Sequence, residues 1–379
     1  MKTKDSRLLV SVLFVLLLII MALLIACGEK EETTTSAAVT TTTQAPSTTQ
    51  AASTGETTQT TKAPESKAKV LRLAFPWPPG DDVTNNILMA VDAFNAQAAG
   101  KYVIEPHPGG SLLALPDSFD ALRSGGVEMA GWPVAVFGSI VPMFNLAELP
   151  FAVNTMEGDA AYIEAMGPLY QKALKPYGIR LVFSIPSQGL DLIGVKHVKT
   201  LEEWKGLLCQ TISPNIAKVV ESLGGSGVAI DFTETYQALS KKVVDVSPTA
   251  ISMVMGFKIY EVGKYITKCY LTPACLAIYM NQKVYDEMPP DIQTLVDNLL
   301  GKEIQSKIIA NMVQNYHDNY AKMPSLGVDV YPVPKAERDR WAERVKPWAE
   351  ELLSKVDPAD ADQVRQITQQ LDQQYPYKD

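Results

Sequence analysis

The polar and apolar positions divide the chain into three stretches. Residues 8–25 form one apolar run, interrupted only by Ser11. From residue 29 to about residue 69 the pattern vanishes: Thr, Ser, Ala, Gln and Pro dominate, and no aromatic residue occurs before Phe75. From Val70 onward, short apolar or β-branched runs alternate with stretches of helical period, the pattern of an α/β fold. The runs predict strands at residues 70–75, 102–105, 127–130, 179–183, 207–212, 228–231, 243–246 and 276–280.

Between the first two strands, Ile87, Val91 and Phe94 recur at i, i+4 and i+7 behind Asp81 or Asp82, either of which can act as N-cap. The longest helical stripe starts at Pro290, a favoured first-turn residue. It carries Ile292, Leu295, Leu299, Ile304, Ile308, Met312 and Tyr316, and over residues 290–320 it is long enough to reach across two lobes. Residues 335–371 predict further amphipathic helix with breaks at Pro347 and Pro358.

An internal echo organises the body. Phe119-Asp120-Ala121-Leu122 followed by Val127-Glu128-Met129-Ala130 matches Tyr236-Gln237-Ala238-Leu239 followed by Val244-Asp245-Val246-Ser247, each 117 residues further on. Both copies read as helix end, turn, buried strand and then a loop, Gly131-Trp132-Pro133-Val134 in one and Pro248-Thr249-Ala250-Ile251 in the other. Two similar α/β lobes would each offer the loop beyond a strand's carboxyl end, the edge where open α/β sheets bind ligands. Facing one another, two such edges make a cleft.

Composition narrows the function. With 46% hydrophobic residues, 34 basic and 42 acidic, the net charge of −8 argues against a general nucleic-acid binder. Lys2, Lys4 and Arg7 ahead of the first apolar run make a targeting leader, and Leu24-Ile25-Ala26-Cys27-Gly28 has the small residues and cysteine of a lipoprotein processing site, with Cys27 the lipidated residue. An uncleaved membrane anchor is the competing reading. Residues 27–69 then form a tether, whose composition cannot bury enough apolar area to order it; about forty flexible residues span roughly 35–40 Å. Either reading puts the body outside the cytoplasm.

Catalytic chemistry finds little to stand on. His107, His197 and His317 are scattered, Cys27, Cys209, Cys269 and Cys275 show no metal spacing, and no Gly-x-Ser-x-Gly elbow occurs. Gly224-Gly225-Ser226-Gly227 lacks the Gly-Lys-Ser/Thr ending of a phosphate loop. Cys269 and Cys275 read equally as a disulfide folded about Pro273 or as free thiols. No metal and no cofactor is expected.

The body from about Val70 to Tyr320 resembles the substrate-binding proteins of tripartite ATP-independent periplasmic (TRAP) transporters, of the dicarboxylate-binding type. The motifs are Pro78-Pro79-Gly80, Pro108-Gly109-Gly110-Ser111-Leu112, Gly126-Val127-Glu128-Met129-Ala130 and Glu148-Leu149-Pro150-Phe151. They continue through Thr200-Leu201-Glu202-Glu203-Trp204-Lys205-Gly206-Leu207, Tyr236 to Asp245, Tyr260-Glu261-Val262-Gly263-Lys264-Tyr265 and Met288-Pro289-Pro290-Asp291. The resemblance implies a two-lobed, periplasmic-binding-protein-like α/β fold with mixed sheets, helices on both faces and the Pro290 helix spanning both lobes. It also implies no enzymatic activity, a small organic solute in the cleft, and integral membrane subunits as partners. Lobe I is expected at 70–190 with part of 276–320 returning to it, lobe II at 191–275, and C-terminal helices at 335–379.

The chain departs from that family where charge matters. The family's arginine after the Lys-Gly-Leu turn falls on Gln210, its aromatic-arginine loop reads Ser187-Gln188-Gly189-Leu190, and its asparagine lands on Thr249. A carboxylate desolvated without a guanidinium costs several kcal/mol, so the expected solute is not a C4-dicarboxylate but a neutral, weakly polar or aromatic molecule, or an acid held differently. Trp77 and Trp132 fall on the loops that line the family's first lobe, with core packing the competing reading. Tyr236 is a further contact candidate, Asp191 reads as a cation anchor or a solvated loop carboxylate, and His107 as a surface turn residue. A sensory or adhesive lipoprotein on the same fold, and more remotely a hydrolase, are the alternative functions.

Overall fold

The computed structural model describes residues 68–378. The leader, Cys27 and all but the end of the tether lie outside the described residues.

The first lobe is laid down as β1 (Lys69–Ala74), α1 (Asp82–Gln97), β2 (Tyr102–His107), α2 (Ser118–Ser124) and β3 (Met129–Pro133). Asp81 is the cap of α1, its carboxylate accepting the Val83 amide at 2.7 Å. Helix α3 (Met156–Leu174) and β4 (Ile179–Pro186) follow, and the chain then crosses into β5 (Leu190–Gly194) of the second lobe. That lobe repeats the first: β6 (Leu208–Thr211), α4 (Pro214–Leu223), β7 (Ser226–Ala229), α5 (Thr235–Ser240) and β8 (Val246–Thr249), then α6 (Ile251–Gly256) and β9 (Tyr265–Thr272). A second crossing leads to β10 (Cys275–Asn281) back in the first sheet.

The sheets are ordered β2-β1-β3-β10-β4 and β11-β9-β5-β8-β6-β7, where β11 is Asp329–Pro332. In each, three parallel strands in the order second-first-third meet one antiparallel strand, β10 or β5, arriving from the other lobe. The 117-residue echo is therefore a topological repeat, with β3 and β8 as equivalent strands.

That crossing strand corrects the expected loops. Gly131, Trp132 and Pro133 belong to β3 because they pair with Ile278, Ala277 and Leu276 of β10; Pro248 and Thr249 belong to β8 because they pair with Leu192 and Asp191 of β5. The parallel neighbours stop at Ala130 and Val246, so beyond them each strand has a single partner and a proline costs no ladder bond on its open side. The strand expected at 243–246 accordingly begins at Val246, and that at 228–231 ends at Ala229. β5, β9 and β11 have no counterpart among the expected strands.

Residues Pro290–Thr294, Leu295–Ile304 and Gln305–Lys322 run on as one helix, α7. Its middle is wound in wide π-type turns, which keep Leu299 and Ile304 on one buried face although they are five residues apart. Gly301 lies there against β4: an added Cβ would sit 3.1 Å from the Val182 carbonyl oxygen. Helices α8 (Lys335–Leu353) and α9 (Pro358–Gln374) close the chain. Pro347 lies inside α8 and does not break it, whereas Pro358 opens α9 behind the Asp357 cap, as the sequence suggests.

Candidate functional site

The carboxyl ends of both parallel strand sets face one cavity of about 50 Å³. From the first lobe come Trp77 beyond β1, Pro133 and Ala135 at the end of β3, and Glu148. The second lobe contributes Ile212 beyond β6, Phe232 beyond β7 and Met253 on α6. Ser187, Leu190 and the 274–276 segment, on the two crossings, form the remaining wall. Among the described residues no Lys, Arg or His lines it.

Glu148 ends a 3₁₀ segment, Pro142–Glu148, and reaches across to the second lobe. The Ser213 hydroxyl donates to its carboxylate at 2.5 Å while accepting the Ile216 amide as the N-cap of α4. Beside this pair, the Asn215 amide donates to the Asn145 carbonyl at 3.2 Å. Burial pushes the Glu148 carboxyl up to about 7, with the Ser213 and Asn215 hydrogen bonds opposing that rise. Asp81 makes a similar approach, since a Cβ on Gly256 of α6 would fall 2.5 Å from its second oxygen; burial raises it to about 6.

The crossings are fastened by buried polar side chains. Gln188 and Tyr270 hold left-handed backbones, φ +72° and +47°, which interrupt regular strand pairing and leave peptide groups to be satisfied by side chains. Asp191 accepts the Cys269 and Tyr270 amides at 2.6 and 2.8 Å, and its other oxygen accepts the Tyr320 hydroxyl of α7. The same two residues' carbonyls accept from Arg338 of α8 at 2.6 and 3.0 Å, and the Val153 carbonyl accepts from it at 2.8 Å. Asp159 of α3 accepts the Gly189 amide at 3.1 Å, and burial lifts its carboxyl to about 7.

The residues singled out from sequence separate accordingly. Trp77 lines the cavity. Trp132 is fully buried in β3, stacked on Tyr279 with ring centroids 4.2 Å apart, so it is a core residue rather than a loop residue. Gln188 spans both lobes, accepting the Ser252 amide of α6 at 2.9 Å and donating to the Met312 carbonyl of α7 at 3.0 Å. The Gln210 amide donates to the Ile230 and Asp231 carbonyls at 3.2 and 3.0 Å, and its buried oxygen has no protein partner. Thr249 meets the Ser247 hydroxyl at 3.2 Å. Tyr236 is half-buried on α5 and donates to Glu261, away from the cavity lining.

Asp191 is 3% exposed, which rules out a solvated loop carboxylate. His107 ends β2 rather than lying in a turn. Cys209, Cys269 and Cys275 are free and buried, so the disulfide alternative is not realised. Among the described residues no cluster of His, Cys, Asp and Glu could hold a metal, and no helix is long and apolar enough to cross a membrane. Sequence reasoning passed over Glu148 as a site residue. Its signal was there: it is the single charge between Val141 and Val153, in an otherwise apolar stretch.

Residues 74–355 match the family model described as bacterial extracellular solute-binding protein, family 7. Among curated relatives, a solute-binding protein of Albidiferax ferrireducens is 24% identical over 260 residues, 65% of this chain and 73% of its own. The 2,3-diketo-L-gulonate-binding periplasmic protein YiaO of Escherichia coli is 21% identical over 281 residues, 73% of this chain and 84% of its own. Among solved structures, the Bordetella pertussis extracytoplasmic solute receptor DctP7, binding pyroglutamic acid, superposes with a TM-score of 0.74 at 19% identity, covering 80% of this chain and 100% of its own. A TRAP periplasmic solute-binding protein of Rhodoferax ferrireducens with bound malonate gives 0.72 at 21% identity, with 81% and 100% covered. With most of its body matched by that model and both lobes superposing on these receptors, the chain belongs to the bacterial extracellular solute-binding proteins of family 7, the TRAP-type solute receptors.

Proposed function

We propose that this receptor closes its lobes, residues 70–190 with part of 276–320 and residues 191–275, on a small organic solute that is not a C4-dicarboxylate. It then delivers the solute to the integral membrane subunits of a TRAP-type importer. The supporting observation is the cavity between the facing strand ends, built from both lobes and bare of basic side chains. Relatives and neighbours carry acids such as malonate and pyroglutamic acid. Here Gln210, at the position where the resemblance implies arginine, is engaged with the backbone carbonyls of Ile230 and Asp231, just beyond β7. Closure is a population shift, in which solute favours the shut state by contacting both lobes at once.

In this reading Trp77 touches solute, while Gln188, Thr249 and Gln210 hold the lobes' framework, and Trp132 packs the core. A thermal-shift screen of the body against acids, sugars, aromatics and amines tests it, because a ligand at a thousand times its Kd adds about 4 kcal/mol. Succinate and malate should leave the melting temperature unchanged. Trp77→Ala should abolish the shift given by whichever compound does bind. Stabilisation by either dicarboxylate would sink the choice of solute class.

The body works outside the cytoplasmic membrane, held by a lipid on Cys27 through the 27–69 tether once residues 1–26 are removed. The supporting observation is Leu24-Ile25-Ala26-Cys27 at the end of the leader. In detergent phase partitioning the natural chain should enter the detergent phase and Cys27→Ser should remain in the aqueous one. Equal partitioning of both would exclude the anchor.

A further inference from the structure

Among the described residues that line the cavity, Glu148 is the one carboxyl and none is basic, and Trp77 and Phe232 stand on opposite lobes. Among the described residues, the groups bearing on that carboxyl are the Ser213 hydroxyl and the Asn215 amide, neither of them charged. The Ser213 contact explains one oxygen as part of the cap of α4, but it supplies no countercharge.

A carboxylate desolvated among Trp, Phe, Leu, Ile and Met side chains is costly unless paired. An anionic solute would set a second negative charge beside it. A neutral solute could offer a hydrogen bond while leaving the charge unbalanced. An ammonium would balance it, donate to it, and meet the face of an aromatic ring.

We infer that the cleft takes a small organic cation, an ammonium group on an apolar body, with its N–H donors on the Glu148 carboxylate and its carbon body against Trp77 and Phe232. The inference rests on the receptor reading above and specifies its solute. The body is small, because a cavity of about 50 Å³ is well short of the ~150 Å³ void that accommodates benzene.

The test is calorimetry on the mature chain at pH 8 with two small carbon bodies, ethyl and isopropyl, each presented as ammonium, alcohol and carboxylate. At least one ammonium should bind ten times more tightly than its alcohol, and neither carboxylate should give heat. Glu148→Gln keeps an acceptor for Ser213 and removes the charge. It should melt cooperatively and bring ammonium and alcohol to within about threefold of each other. Trp77→Leu should weaken the ammonium more than the alcohol.

Tightest binding by a carboxylate, an ammonium preference that survives Glu148→Gln, or no heat from any of the six compounds would each overturn the inference. Ile212→Trp, which fills the cavity, separates this failure from that of the receptor reading. If an acid from the wider screen binds and Ile212→Trp abolishes it, the cleft is a solute site and only the cation is wrong. If Ile212→Trp leaves every bound compound unaffected, the receptor reading fails as well.

Discussion

Replacing Arg338 by Leu should destabilise the protein by about 4 kcal/mol, read as a lower urea midpoint with an unchanged slope. Arg338 is 4% exposed, and its guanidinium donates to the carbonyls of Val153, Cys269 and Tyr270. Leucine fills much of the volume but leaves those carbonyls unpaired, at about 1–3 kcal/mol for each buried group. The loss falls on one peptide in particular. Tyr270, at φ +47°, is held from below by Asp191 through its amide and from above by Arg338 through its carbonyl. Arg338→Lys keeps the charge but cannot reach all the carbonyls with one ammonium, so it should recover only part of the stability. A loss under about 1 kcal/mol for the leucine variant would show that these bonds are replaced by water or by neighbours.

Stability should fall as pH rises from about 5 to 8, the reverse of ordinary carboxylate behaviour. Asp159 and Glu148 are raised to about 7, and Asp81 to about 6, each chiefly by burial. In the unfolded chain all three ionise near pH 4. Between those values the native state holds more protons than the unfolded one, so the stability they contribute is complete below about pH 4 and is lost as pH climbs through 6 and 7. Shifts of two to three units correspond to about 3–4 kcal/mol per group. Guanidinium midpoints measured at pH 5 and pH 8 should differ clearly, and Asp159→Asn together with Glu148→Gln should flatten the difference. A midpoint that is level or rising over that range would mean that the backbone amides and the α4 terminus keep these carboxylates ionised.

Much of this fold is written locally. The Asp81 cap, the apolar stripe of α7 and the first strands are each set by a few neighbouring residues, and their elements appear where the periodicity predicts them. The echo succeeded for the same reason, since α2–β3 and α5–β8 are equivalent local units. The errors cluster where β5 and β10 cross between the lobes. Pro133 and Pro248 read as loop residues because nothing in their neighbourhood announces an antiparallel partner contributed from the other lobe. Pro347 reads as a break for a related reason: α8 continues through it because local propensity is overridden by the packing of Trp341, Val345 and Leu352 on both sides.

The sequence by itself determined a two-lobed α/β repeat, its family and the absence of arginine at the resembling position, because periodicity, repetition and residue identity are properties of the chain alone. Only the tertiary structure decided which of the singled-out residues line the cavity. Trp132 and Asp191 went to core and crossing, while Glu148, unremarked within an apolar stretch, came to the cavity. The physical reason is that burial and countercharge depend on what arrives from distant strands: Asp191 meets the Cys269 and Tyr270 amides, whereas Glu148 meets a hydroxyl and an open apolar wall.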